Sequence, residues 1–179
     1  MYKMFEKHGK GFTLVELLVV IAILGVLATI GLVSFSSAQV RGRDTQRKSD
    51  LKQIATSLEL YFSDYGVYPT ASSGKILGCP SPAGVCTWGS GEFTDGKTLY
   101  FKVLPEDPTS NNYYYYRTLS VDSVANQGFQ LYARLENSQD QDCLSGNCGT
   151  HTDLPAGVTC GDGGSCNFGV TSANVTPTD

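Results

Sequence analysis

From Leu17 to Val33 the chain reads LLVVIAILGVLATIGLV without a charged residue, and with Phe12 to Glu16 before it and Ser34 and Phe35 after it the apolar run reaches 24 residues. A helix of that length is roughly 36 Å long, enough to cross a bilayer. Ahead of it, Met1 to Gly11 carries Lys3, Lys7 and Lys10 against Glu6, the charge pattern of a cytoplasmic leader. Whatever else the chain folds into must be attached to a membrane-grade helix.

Three readings compete for this region. A secretory signal peptide cut after Ser36-Ser37-Ala38 has small residues in the right places, but its apolar core exceeds the usual length of about 7–15 residues and Glu16 stands at its entrance. A plain single-span anchor fits the length and gives no role to Glu16. Nor does the positive-inside rule orient it, because Arg41, Arg43, Arg47, Lys48 and Lys52 outnumber the leader lysines. The third reading rests on the string Lys10-Gly11-Phe12-Thr13-Leu14-Val15-Glu16. It resembles the class III signal sequence of type IV pilins and type II secretion pseudopilins, the most specific motif in the chain.

That resemblance implies a prepilin peptidase that cuts between Gly11 and Phe12, removes residues 1–11 and methylates the new Phe12 amine. Residues 12–35 then remain as a helix that spans the membrane first and lies in a filament core later. Glu16 becomes the fifth residue of the mature chain, an ionisable group in hydrocarbon that is costly unless neutralised. The family supplies the Phe12 ammonium of a neighbouring subunit as its partner. Many relatives carry a proline where this chain has Val33, leaving Gly25 and Gly31 as the weak helical points.

Helical periodicity continues through residues 36–65. Leu51, Ile54, Leu58, Tyr61, Phe62 and Tyr65 recur at three- and four-residue spacing, and Gly66 and Pro69 end the run. Helix from about Phe12 to Tyr65 would be near 80 Å long. Residues 66–98, with seven Gly and three Pro, read as a long loop from helix to sheet. The segment 99–136 reads as an antiparallel sheet with strands at Leu99–Leu104, Tyr113–Val121 and Phe129–Glu136. The last of these alternates Phe129, Leu131, Ala133 and Leu135 against Gln130, Tyr132, Arg134 and Glu136, as a strand with one buried face does. The fold class is therefore α+β: a long N-terminal helix packed on a small antiparallel sheet, with disulfide-stapled loops and tail.

The tail, 137–179, holds no Lys or Arg and four of the six cysteines. Cysteines in Gly-rich loops of an extracytoplasmic chain read as disulfides, and the sequence-local set Cys79 with Cys86, Cys143 with Cys148 and Cys160 with Cys166 is the simplest of the fifteen connectivities. Zinc is disfavoured by these spacings. The segment Leu104-Pro105-Glu106-Asp107-Pro108 before Tyr113–Tyr116 reads as a turn and resembles a segment of major pseudopilins that precedes a calcium loop. Asp140 and Asp142 are the nearest acidic oxygens for calcium here, with Asp122, Asp153 and Asp162 as further ligands, although no EF-hand spacing backs them. In the tyrosine run, alternation puts two rings in the core and two at the rim.

Charge divides unevenly: residues 1–52 carry eight basic and four acidic groups, net +4, and residues 53–179 five and thirteen, net −8. So acidic an outer part is a poor match to a phosphate backbone, which makes nucleic acid an unlikely partner except for a minor DNA-uptake pilin. No enzyme signature is present: no phosphate loop, no nucleophile elbow, no His-Glu-x-x-His. The expectation is a structural subunit of a type IV pilus or type II secretion pseudopilus, requiring no cofactor. It begins as a single-pass precursor in the inner or cytoplasmic membrane and ends in a periplasmic or cell-surface filament. Its partners are related pilin subunits, prepilin peptidase and an inner-membrane assembly platform. The alternative is an anchored or secreted disulfide-stapled binding domain.

Overall fold

Nothing between Leu14 and Tyr65 breaks a helix: the segment has no proline, and Gly25 and Gly42 have no neighbour within 4 Å to push on them. A computed structural model describes residues 11–79, 84–146, 148–149, 154–161 and 164–178 and forms this segment as one 52-residue helix, α1 (Leu14–Tyr65). It stops at Gly66, whose φ of +68° is the left-handed conformation that glycine adopts without a side-chain clash, and the Gly66 N–H donates to the Phe62 carbonyl at 2.7 Å. The predicted leader, apart from Gly11, lies outside the described residues.

The chain divides into two units, Met1–Gln39 and Val40–Asp179. In the first, the apolar side chains are bare: Phe12 is 84% exposed, and Leu14 through Leu27 keep about half or more of their surface. Among the described residues no helix is long and apolar enough to cross a membrane. The side chains of residues 30, 31, 33 and 34, which the predicted span needs, are outside those described.

Among the described residues the second unit, the head, carries eight short strands in three antiparallel sheets. One is β1 (Ala71–Ser72), β2 (Lys75–Cys79) and β3 (Gly84–Val85). Another pairs β4 (Phe93–Thr94) with β5 (Leu99–Phe101). The third, and longest, runs β6 (Tyr115–Val121), β7 (Val124–Ala133), β8 (Phe168–Thr171), with β7 central. Asp122 and Ser123, both at positive φ, make the tight β6–β7 turn, which suits the right-handed twist of the flanking strands.

Leu51, Ile54 and Leu58 of α1 are fully buried in the same core as Leu104, Tyr114, Tyr116, Phe129, Leu131, Ala133 and Leu135. Tyr61 and Phe62 pack at its margin, and Tyr65 is 48% exposed.

Three expectations need correction. Residues 66–98 are not a plain loop but contain β1 to β4; strands of two to five residues are too short to display a period. Leu99–Phe101 pairs with β4 and not with the main sheet. The tail contributes β8, and it also covers the supposedly solvated face of β7: Gln130 and Tyr132 are fully buried. Gln130 Nε2 donates to the Thr176 carbonyl and the Tyr132 hydroxyl to that of Pro177, while the Tyr132 ring packs with Val158, Cys160 and Cys166. Alternation in sequence marks one buried face, and a stapled tail buried the second.

Candidate functional site

At the N-terminus, Gly11 and Phe12 precede the helix in exposed, non-helical chain. Thr13 is the cap of α1. Its N–H and hydroxyl both donate to Glu16 Oε2 at 2.8 Å, and its Oγ1 accepts the Glu16 N–H at 3.2 Å. This is a capping box, in which a side-chain pair three residues apart satisfies donors that the first turn leaves open. The signature Thr-x-x-Glu stood in the sequence and was not read there. It gives Glu16 a partner within its own chain, on a helix face otherwise lined by apolar side chains.

In the head, the α1 stripe continues toward the N-terminus as charge. Positions 44, 47, 51, 54 and 58 share one face, and the first two are Asp44 and Arg47, 2% and 0% exposed. Arg47 reaches across to the Leu104–Pro108 turn and binds Asp107 through both edges, Nε to Oδ2 at 2.7 Å and Nη2 to Oδ1 at 2.8 Å. It also meets Asp44 Oδ1 and Glu136 Oε1, each at 2.7 Å, and Thr109 Oγ1 at 3.1 Å. Asp44 in turn accepts the backbone N–H groups of Glu136 and Asn137, and Arg43 pairs with Glu136 at the rim. One guanidinium thus joins the helix, the segment that follows β7 and the Pro-Glu-Asp-Pro turn. Asp107 also takes the Thr109 N–H at 2.9 Å, so it serves as turn former and ion-pair partner together.

Burial alone pulls the Arg47 pKa down, but its bonds to Asp107, Glu136 and Asp44 outweigh it and hold the guanidinium charged. The Arg43 hydrogen bond, helped by Arg47, depresses Glu136 to about 2 against the burial that opposes it. Asp50 lies behind this network; burial raises its pKa, and the Tyr114 hydroxyl donating at 2.7 Å partly offsets that. The spacing of Asp44 and Arg47 on the buried face was the available signal for this network, because a charge there must find a partner.

Asp140 and Asp142, the expected calcium ligands, both close on Lys48 of α1: Nζ lies 2.7 and 2.8 Å from the Asp140 oxygens and 2.7 Å from Asp142 Oδ2. Burial lowers the Lys48 pKa less than these two carboxylates raise it. Asp122 belongs to the β6–β7 turn, and Asp153 and Asp162 are outside the described residues. Among the described residues no three His, Cys, Asp or Glu side chains are grouped for a metal. Calcium takes six to eight oxygens, and among the described residues the two expected carboxylates are both engaged by the Lys48 ammonium. The cysteines form Cys79–Cys86, Cys143–Cys148 and Cys160–Cys166.

Comparison with known proteins agrees with the two-part geometry. The prokaryotic N-terminal methylation motif matches residues 7–32, and the type II secretion system (T2SS) protein G family matches residues 35–132. The type II secretion system core protein G of Pseudomonas aeruginosa is 36% identical over 118 residues, covering 63% of this chain and 76% of that protein. The core protein G of Aeromonas hydrophila is 31% identical over 116 residues, covering 62% and 74%. The type IV major pilin protein PilA of Myxococcus xanthus is 38% identical over 64 residues, which is 36% of this chain and 29% of that pilin. No solved structure matches. The tail with its four cysteines lies beyond the protein G match. Because that match alone covers more than half of its residues, this chain belongs to the type II secretion system protein G family, a family of structural filament subunits and not of enzymes.

Proposed function

We propose that the chain is the repeating subunit of a secretion pseudopilus, held in the inner or cytoplasmic membrane by residues 12–35 until assembly and then part of an extracytoplasmic filament. The observation that carries this reading is the first unit: a helix whose apolar side chains from Leu14 to Leu27 are bare in the single chain, interrupted only by Glu16. Lipid covers such a surface before assembly, and neighbouring helices of other subunits cover it afterwards. Prepilin peptidase cuts between Gly11 and Phe12 and methylates the Phe12 amine, which the methylation-motif match at residues 7–32 supports. Glu16 then pairs with the Phe12 amine of a neighbour and sets the axial step. An inner-membrane assembly platform drives the addition of subunits.

Protein G matches across the head favour secretion over a surface pilus. The secreted-domain alternative fares worse, because Ser36 to Ala38, where a signal peptidase would cut, lie inside α1. Intact mass and N-terminal sequencing of the protein recovered from its host's membranes test the processing: the chain starts at N-methylated Phe12. A start at Met1 or Gln39 overturns it. Glu16→Ala leaves that cleavage in place and abolishes filaments; normal filaments from the variant contradict the assembly step. Retention of an exoprotein in a deletion strain marks secretion, whereas loss of long surface filaments marks a pilus.

A further inference from the structure

The two rim tyrosines, Tyr113 and Tyr115, take no part in the proposed filament contacts. Tyr114 and Tyr116 are fully buried, whereas Tyr113 and Tyr115 are partly exposed; Tyr113, Tyr114 and Tyr115 all line a cleft of about 580 Å³ in the head. That volume lies within the range of small-molecule sites, about 300–1,000 Å³. Both rings are held in place. The Tyr113 hydroxyl pairs with Thr159 Oγ1 at 2.8 Å, and Tyr115 lies so close over Gly74 that a Cβ there would stand 2.6 Å from its ring.

Trp88 forms another part of the wall, edge-on to Tyr114 with centroids 5.9 Å apart. It is only 8% exposed, and its indole N–H has no acceptor among the described residues. The cleft also presents Lys75 and Glu106, neither with a polar partner among the described residues. Asp107 at the wall is already committed to Arg47.

We propose that this cleft binds a neutral oligosaccharide segment, one pyranose face lying on Tyr113 and Tyr115 and its hydroxyls bonded to Lys75 and Glu106. The chemistry selects this class. Fixed aromatic faces take the C–H face of a sugar ring, and a lysine and a glutamate lining the same cleft offer a donor and an acceptor to hydroxyls that are both. An anionic ligand would meet Glu106 and a cationic one Lys75, so the net-neutral ligand is favoured. The proposal concerns the head alone and stands whether or not the filament reading holds.

Trp88 is the only tryptophan in the chain, so its fluorescence reports on the cleft directly. The full chain, in a detergent without a sugar headgroup, is titrated with cellotriose, chitotriose and maltotriose to about 10 mM and separately incubated with insoluble cellulose and chitin. A saturable change with a soluble trimer shows that free chains are recognised. Retention on the polymer without a response to trimers shows that only an extended chain is; either result supports the proposal. Tyr113→Ala raises the Kd about tenfold, Tyr113→Phe leaves it near the parent value, and Glu106→Gln weakens binding with an unchanged melting temperature. Absence of both fluorescence change and retention overturns the proposal, as does binding that Tyr113→Ala and Glu106→Gln leave intact, or a response to a neutral tripeptide in place of the sugars.

Discussion

Replacing Arg47 by methionine keeps the length and apolar stem of the side chain and removes its charge from the centre of the head. The variant loses the two bonds to Asp107, the contacts with Asp44 and Glu136, and the bond to Thr109. The carboxylates left behind are not stripped bare. Asp107 keeps the Thr109 N–H and hydroxyl, Asp44 keeps two backbone N–H groups, and Glu136 keeps Arg43. What Asp44 and Asp107 lose is their buried counter-cation, with side chains 2% and 0% exposed. Breaking a buried pair by deleting one partner costs about 3–5 kcal/mol. For a head of this size that lowers the melting temperature by roughly 10–20 °C. Arg43→Met, four residues earlier on the same helix and 31% exposed, costs far less, because solvent screens its pair with Glu136. Urea unfolding of the full chain in micelles, followed through buried Trp88, measures both variants. If Arg47→Met loses no more than Arg43→Met at equal urea m-values, water reaches the network and the argument from burial fails.

The remaining predictions concern acid and calcium. Glu136 falls from an ordinary 4.5 to about 2 in the folded head, so its contribution is complete above about pH 4.5 and is lost as pH drops toward 2. Glu136→Gln therefore flattens the stability-against-pH curve in that window, measured by urea midpoints. The Asp140 carboxylate acts in the same direction, its pKa lowered by Lys48 and the Asp142 N–H against burial; Asp50, raised by burial, acts in the opposite one. The wild-type chain melts at the same temperature in calcium and in chelator, because Lys48 already holds Asp140 and Asp142. A calcium-dependent rise in differential scanning calorimetry would show that the ion displaces the ammonium. Lys48→Met, at a partly exposed site, costs only about 1 kcal/mol.

Periodicity carried the parts of the fold that repeat. The Leu51–Ile54–Leu58 face and the inward set Phe129, Leu131, Ala133 and Leu135 were legible because a helix and a long strand each show their period several times over. Strands such as Ala71–Ser72 and Phe93–Thr94 were not, since two residues have no period. The buried outer face of β7 depends on Thr176 and Pro177, some 45 residues away, and on the Cys160–Cys166 loop. No local pattern at Gln130 or Tyr132 encodes that. The processing string was legible as a motif. The Arg47 network was half legible: its helix partner Asp44 sits at a readable spacing, while Asp107 had to be found across 60 residues of chain.

The capping box gives Glu16 a partner in the single chain, before any assembly. A carboxylate at position 16 looks, from sequence, like a charge that only a neighbour's amine can satisfy. In the single chain it already accepts two hydrogen bonds from Thr13. On the proposed assembly, pairing with a neighbour would be an exchange of partners, driven by the difference between an ion pair in an apolar surrounding and a local cap. A cap of this kind contributes about 1 kcal/mol to the first turn, small beside the cost of an unpaired charge in hydrocarbon. Thr13→Val keeps the shape of the side chain and removes the hydroxyl, leaving Glu16 only the backbone N–H. The first turn frays, read as lost amide protection at residues 13–16 in micelles, while processing at Gly11 continues and filaments still form. Loss of filaments from Thr13→Val, with Phe12 correctly exposed and methylated, would mean that the cap itself is part of the assembled state and that exchange is the wrong description.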